Sequence, residues 1–364
     1  CINCWFTCKN CKKYLMKKKV GIVGTHGLPA NYSGWETLVK NLCKYSQNAD
    51  YLIATPRSRK KEQSNDEIKS SVYVPLNASG WQSVFYDFFS ILKILPRVDS
   101  ILILGVSGCV FLPFIRLITK KKLIINTDGI EYRREKWGFF ASKFLKISEK
   151  FAITFSNKIV ADNKGICEYI NNNYGKTVDA VIPYGGVQNE SVKYDYSNKY
   201  NFKANCFDLA LARIVPENNV ELILKTYNKT DLDIVFIGNW KSSNYGKRLF
   251  KHNWNNNIHL FESDFNEERI NSLRSSCRLY IHGHSAGGTN PSLVEAISLG
   301  CTIAAFDVKF NKYVLSNFGY YWKDSTDLIK ILQKFKKIDK NLIKDHYNKN
   351  YDWKVITRNY EKIF

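Results

Sequence analysis

Methionine occurs once in the 364 residues, at position 16. Met16 leads directly into KKKVGIVGTHG, the polar lead and first buried strand of an α/β domain, so residues 1–15 are expected to be an upstream or non-native extension outside the fold. Acids are also scarce. Asp and Glu number 33 against 54 Lys and Arg, a formal net charge of +21, and such a balance points to nucleic acid, an anionic membrane surface or a phosphorylated substrate. A Lys-, Asn-, Ile- and Tyr-rich composition of the kind an AT-rich genome produces accounts for part of it. No nucleic-acid-reading motif accompanies the charge, and the basic residues are scattered along the chain, which argues against nucleic acid as a partner. Long apolar runs are lacking too. Ile101–Ile118, ILILGVSGCVFLPFIRLI, falls short of the roughly 20 residues a membrane span needs, and Gly105, Gly108, Pro113 and Arg116 interrupt it. A buried strand Ile101–Leu104, a loop and a helix starting near Val110 describe it more simply. No secretory signal is evident.

What is present is ordinary for a globular protein: 45% hydrophobic and 24% charged residues, in a length that favours two domains over one core. Cys43, Cys109, Cys167, Cys206, Cys277 and Cys301 are isolated, mostly in apolar surroundings, and read as reduced thiols. Cys1, Cys4, Cys8 and Cys11 superficially suggest zinc, but their two pairs are closer together than zinc ribbons allow. No metal is expected.

Buried-strand candidates Val20–Val23, Tyr51–Ala54, Ile101–Leu104, Leu123–Asn126 and Lys158–Ala161 alternate with helical stretches, and Val181–Pro183 supplies a last strand. This is the pattern of a parallel sheet wrapped by helices. Tyr184–Asn205 loses the periodicity and reads as an interdomain connection. The pattern then restarts: strand Phe207–Ala212, helix Val220–Tyr227, strand Ile234–Ile237, a polar loop, strand Ile258–Phe261, helix Glu267–Ser275, strand Leu279–His282, helix Pro291–Leu299 and strand Thr302–Phe306. Tyr351–Phe364 carries Trp353, Ile356, Tyr360 and Ile363 at helical spacing, an amphipathic terminal helix. The expected domains are 16–185 and 186–345, with 346–364 as a closing helix.

The richest stretch is YIHGHSAGGTNPSLVEAISLG, from Tyr280 to Gly300. A strand ends in a loop holding Gly283, Gly287 and Gly288, after which Asn290 caps a helix with Pro291 in its first turn. Such a helix start offers backbone N–H groups and a positive dipole end to an anion. Glu295, one turn further in, would accept hydrogen bonds from two neighbouring sugar hydroxyls, and phosphate beside a polyol suggests a nucleotide-sugar. Arg213 follows another strand directly and could neutralise a diphosphate by bidentate contact. His282 and His284 flank Gly283 without a third metal ligand, so they line a pocket or satisfy backbone groups.

In the first half, Gly24-Thr-His-Gly27 and Gly34-Trp-Glu36 let a ligand approach the backbone between strand and helix, but the spacing is not that of a dinucleotide fingerprint. Asp128-Gly-Ile-Glu131-Tyr-Arg133-Arg134-Glu-Lys136 follows a strand, where open α/β sheets bind ligands. Asp128 or Glu131 could hold an acceptor hydroxyl, with Arg133, Arg134 and Lys136 on a lipid phosphate. A solvated, charged helix start is the alternative there.

Taken in order, GTHGLPANYSGWE, DGIEYRREKW, ADNKGI, IPYGG, ARIVPENN and IHGHSAGGTNPSLVEA resemble the group-one, glycogen-synthase-like glycosyltransferases of GT-B fold. Within them the motifs resemble a bacterial rhamnosyltransferase-like branch of capsule and surface-polysaccharide assembly. The resemblance implies two Rossmann-like domains facing a cleft and a C-terminal crossover helix, with the donor on the second domain and the acceptor on the first. By the same resemblance Arg213 binds the donor diphosphate, Glu295 the ribose, and Gly34 approaches the transferred sugar or phosphate. Gly288, Thr289, Asn290 and Ser292 cradle donor sugar and phosphate, and Asp128 is an acceptor-side contact; Glu36, Glu131, Arg133, Asn218, His282, His284 and Gly287, whose loop amides could hold the donor sugar, complete the candidate binding residues. Two positions depart from the family pattern. Gly287 stands where those proteins commonly carry the first of two glutamates, and Asn218 where they carry a lysine beside the diphosphate. A deoxy sugar such as rhamnose needs fewer contacts.

The implied reaction is retaining transfer, best guessed as rhamnose from dTDP-rhamnose to a lipid-linked oligosaccharide, without metal or other cofactor. The Trp81–Leu95 aromatics near Lys120–Lys122 add an expectation of peripheral attachment to the inner face of the plasma membrane. A GT-B nucleotide-sugar epimerase and a basic nucleic-acid-binding module are the alternatives.

Overall fold

The computed structural model describes residues 17–30, 34–127, 129–133, 138–187 and 202–364. The chain divides into two compact units. The first comprises the chain up to Asp162, Cys167–Ile182 and Ile356–Phe364; the second comprises Asn163–Ile166 and Pro183–Val355.

In the first unit, seven parallel strands are β1 (Lys18–Val23), β2 (Ala49–Pro56), β3 (Ser71–Val74), β4 (Ser100–Leu104), β5 (Lys122–Asn126), β6 (Lys158–Ala161) and β7 (Ala180–Val181). Their order is β3-β2-β1-β4-β5-β6-β7. Near-continuous apolar runs suit strands covered on both faces, and every residue of SILIL in β4 is buried. Ile101–Ile118 resolves into β4, a turn and the short helix Leu112–Ile118; no helix among the described residues is long and apolar enough to cross a membrane.

The second unit has six parallel strands: β8 (Phe207–Leu211), β9 (Asp233–Gly238), β10 (Ile258–Glu262), β11 (Tyr280–His282), β12 (Ile303–Phe306) and β13 (Tyr320–Trp322). They run in the order β10-β9-β8-β11-β12-β13. The core packs Phe207, Val235, Tyr280 and Ile303 against Leu293, Ile297 and Tyr347 from flanking helices.

Several expectations are corrected. The polar loop expected between β9 and β10 contains a helix, Asn244–Lys251, started by Ser243 whose hydroxyl accepts the Gly246 N–H at 3.0 Å. The closing segment 346–364 is not one helix: residues up to Asn350 end the helix Lys340–Asn350, and a new helix spans Trp353–Ile363. Trp353 packs on Gly185, where any Cβ would fall 2.5 Å from the indole. The tail Ile356–Phe364 completes the first unit. There Tyr360 Oη accepts from buried Asn126 Nδ2 at 2.6 Å, and the Glu361 carboxylate gathers the N–H groups of Gln47 and Asn48 at 2.7 and 2.8 Å.

Candidate functional site

Each sheet has a switch point where chain connections leave in opposite directions, and open α/β sheets bind ligands at the carboxyl ends of such strands. In the second unit the switch lies between β8 and β11. The segment after β8 carries Arg213; the segment after β11 carries the glycine loop.

Asn218 joins the two. Its Nδ2 donates to Arg213 O at 2.7 Å and its Oδ1 faces His284 Nδ1 at 2.7 Å. Because Asn218 Oδ1 can only accept, His284 carries its proton on Nδ1. Asn219 Nδ2 donates to Gly283 O at 2.8 Å, and Ser285 donates through its backbone N–H and hydroxyl to Glu217 O at 3.0 and 2.7 Å. Gly283 is required: a Cβ there would lie 2.2 Å from Asn218 O. The expectation of a substrate contact at Asn218 therefore gives way to a staple, since both ends of its buried amide are committed.

Two further side chains are used inward. Asn290 caps the helix Pro291–Ser298 by accepting the Ser292 N–H at 2.9 Å, and the Ser292 hydroxyl donates to Leu211 O at 3.3 Å. A cradle made by this loop is consequently one of backbone groups. Gly287 adopts φ +99°, which favours glycine. The N–H groups of Gly287 and Gly288 donate to no other described residue, and Thr289 is buried beside them.

Arg213 is exposed and makes no side-chain hydrogen bond or ion pair among the described residues, so its guanidinium is available to a ligand. Glu295 differs. It is bound by Arg274 of the helix Glu267–Ser276, whose guanidinium is almost wholly buried while the carboxylate keeps partial exposure. Arg274 also donates to Asn271 Oδ1 at 3.0 Å. Burial is the largest influence and opposes the Arg274 charge, but the Glu295 carboxylate, with Tyr280 and Cys301 beside it, more than offsets it, and the guanidinium pKa is raised on balance. Paired with Arg274, Glu295 opposes an anion at the helix start less than a lone carboxylate would.

His282 ends β11, directly before the glycine loop. It is buried, its Nε2 has no hydrogen-bond partner among the described residues, and burial, aided by His284, pushes its pKa down to about 3. The unfolded histidine protonates near pH 6.5 and the folded one does not, so stability linked to this residue is present above pH 6.5 and is lost as pH falls toward 3. The expected slope is about 1.4 kcal/mol per pH unit. Denaturant titrations at stepwise pH should show His282→Gln flattening the wild-type curve by that amount in this window.

In the first unit the switch lies between β1 and β4. The loop after β1 needs Gly24, at φ +85°, because a Cβ would meet Leu104 O at 2.0 Å. Gly34 opens the helix Gly34–Tyr45. Glu36, expected to touch substrate, is instead fully buried: its Oε1 accepts from Thr25 Oγ1 and His26 N, each at 2.9 Å. Arg59 clamps the other side of the loop, donating to the carbonyls of His26, Gly27 and Pro29 at 3.0, 3.2 and 2.8 Å. Between them His26 is half-buried, and burial, opposed by Glu36 and reinforced by Arg59, lowers its pKa. Arg59→Met, which orphans three carbonyls, should cost about 3 kcal/mol in equilibrium denaturation.

Glu131 is half-buried in the turn Glu131–Arg133. Its neighbour Tyr132 is held by Ser142 Oγ, which donates to Tyr132 O at 2.6 Å, and by Tyr169 Oη at 3.1 Å. Tyr169 and Tyr174 in turn donate to buried Glu149, each at 2.6 Å. Asp128, Arg134, Lys136, the Arg133 side chain, Cys1, Cys4, Cys8, Cys11 and most of the expected Tyr184–Asn205 connection lie outside the described residues.

Sequence reading missed Arg274 and Arg59. Arg274 sits four residues after Ile270, on the helix side that faces the core, and a cation in that register was the available signal.

The architecture is that of the GT-B fold, two parallel-sheet α/β units in tandem. Residues 17–190 match the family model described as "Domain of unknown function (DUF1972)". An uncharacterized glycosyltransferase of Methanocaldococcus jannaschii is 24% identical over 275 residues, covering 69% of this chain and 70% of that protein. Among solved structures, sucrose-phosphate synthase from Thermosynechococcus elongatus aligns with TM-score 0.76 at 12% identity, covering 95% of this chain and 98% of the other. Anabaena HepE in complex with UDP-glucose aligns with TM-score 0.73 at 14% identity, covering 95% and 99%.

Proposed function

We propose that this protein is a glycosyltransferase that takes a hexosyl unit from a nucleotide-sugar. The observation that carries the reading is that the β8/β11 switch brings together the segment after β8, with an Arg213 guanidinium free of partners among the described residues, and the segment after β11, whose loop has two glycine amides uncommitted among the described residues and leads into the helix of the charge-balanced Glu295. Arg213 and the loop amides bind the donor diphosphate and take up the charge that develops as the glycosidic bond breaks. Glu295, steadied by Arg274, accepts from the ribose hydroxyls. Buried, neutral His282 and half-buried His284 line the donor side.

The rhamnosyltransferase-like motifs support the narrower proposal: retaining transfer of rhamnose from dTDP-rhamnose to a lipid-linked oligosaccharide during capsule or surface-polysaccharide assembly, at the inner face of the plasma membrane. Asp128, Glu131 and Arg133 are the proposed acceptor-side contacts, and Gly34 approaches the transferred group. The uridine diphosphate sugar bound by HepE makes a nucleoside diphosphate sugar the apt donor class. No metal is needed where a guanidinium and helix-start amides meet the leaving group. Residues 16–185 and 186–345 are proposed as the acceptor and donor domains.

The test is nucleoside diphosphate release from a panel of thymidine, uridine and guanosine diphosphate sugars, with and without EDTA. Release from at least one donor, unaffected by the chelator, is expected. No release from any donor, with salt-sensitive retention of RNA instead, would abandon the enzyme reading; a free epimerised sugar as product would replace transfer by epimerisation.

A further inference from the structure

The helix Gln82–Ile94 is apolar on two sides. Tyr86, Ser90, Ile91 and Ile94 are buried beneath it, yet Trp81, Phe85 and Phe89, spaced four residues apart, are exposed, Trp81 by 75%. A soluble helix with a single docking face would show polar groups along that second stripe. Phe85 and Phe88 pack on Phe111, with ring centroids 5.8 and 4.6 Å away, in the turn that enters the helix Leu112–Ile118. That turn and helix in turn pack on the helix Phe139–Phe155. Both neighbours repeat the pattern: Leu117 is 84% and Phe140 85% exposed. Right-handed crossovers running from β3 through β4 and β5 to β6 set all three helices on one face of the sheet.

Charge on this face is one-signed. The three helices contain one acid each at most, Asp87 and Glu149, and both are buried. Asp87 Oδ2 accepts the Gly108 N–H at 3.0 Å, and Glu149 is taken by the Tyr169 and Tyr174 hydroxyls. Lys143, Lys146 and Lys150 are exposed, as is Lys93, whose ammonium donates to Tyr73 O at 2.9 Å, and Lys143 Nζ lies 4.7 Å from the Phe139 ring centroid.

We propose that this face docks the protein on an anionic lipid bilayer, its aromatic and aliphatic side chains in the headgroup boundary and its lysines on lipid phosphates. Lysine is depleted from protein interfaces, whereas lysine stems beside apolar rings suit a bilayer boundary. The docking deepens the proposed function, resting on it for the lipid-linked nature of the acceptor, but its chemistry is independent of the donor.

The experiment is co-sedimentation of the whole chain with vesicles of phosphatidylcholine alone or mixed with phosphatidylglycerol, run beside donor turnover in lipid-free solution. Binding only to the mixed vesicles is expected, weakening as salt rises. The triple variant Phe85→Ser/Leu117→Ser/Phe140→Ser, and separately Lys143→Glu/Lys150→Glu, should each lower partitioning by about a hundredfold with soluble turnover unchanged. A chain that turns over donor yet ignores anionic vesicles overturns the docking, as does self-association abolished by the triple variant without vesicle binding. Vesicle binding without donor turnover upholds the docking and overturns the transferase reading.

Discussion

Arg213→Ala is expected to lower nucleoside diphosphate release by about 10²–10³-fold in kcat, the usual cost of removing one preorganised donor to developing charge. Its thermal stability should be unchanged, because the exposed guanidinium supports no other described group. Arg213→Lys should recover only part of the loss, since an ammonium cannot make the two parallel contacts a guanidinium offers a diphosphate. Full turnover in a folded Arg213→Ala protein would remove the donor site from this crevice.

Glu295→Ala should lose both activity and stability, for separable reasons. Deleting the carboxylate leaves Arg274 as a buried, unpaired cation, and breaking such a pair costs about 3–5 kcal/mol. For a unit of this size that is a fall in Tm of roughly 10 °C. Replacing both partners, in Arg274→Met/Glu295→Met, should restore most of the stability, as apolar substitutes of buried pairs commonly do, while donor affinity stays lost. Thermal melts beside donor titrations separate the contributions. A double variant with normal donor affinity would assign Glu295 a purely structural role.

Much of the architecture was legible because parallel strands buried on both faces write themselves as apolar runs. SILIL at β4 and DIVFIG at β9 are examples. Strands β3 and β13 escaped for the opposite reason: SVYV and YYW are short, lie at sheet edges and are only partly buried. The helix Asn244–Lys251 was hidden by Gly246 and a run of polar residues, although Ser243 is a good cap. At the site, the glycine loop and Asn290 cap are local features, so spacing revealed them. The roles of Glu36, Asn218 and Arg274 are not local. Glu36 is buried by partners 10 and 11 residues away, Asn218 meets a side chain 66 residues on, and Arg274 reaches its carboxylate only across a strand crossover. A sequence registers that such residues are polar, and the fold decides whether they meet ligand or one another.

The contacts among Asn218, Asn219, Glu217, Gly283, His284 and Ser285 tie two distant segments into a single cooperative element. Neither can open alone without stranding buried amides and carbonyls of the other. Amide deuterium uptake at 213–219 and 283–290 should thus slow in concert when nucleotide is added, in one exchange class rather than two.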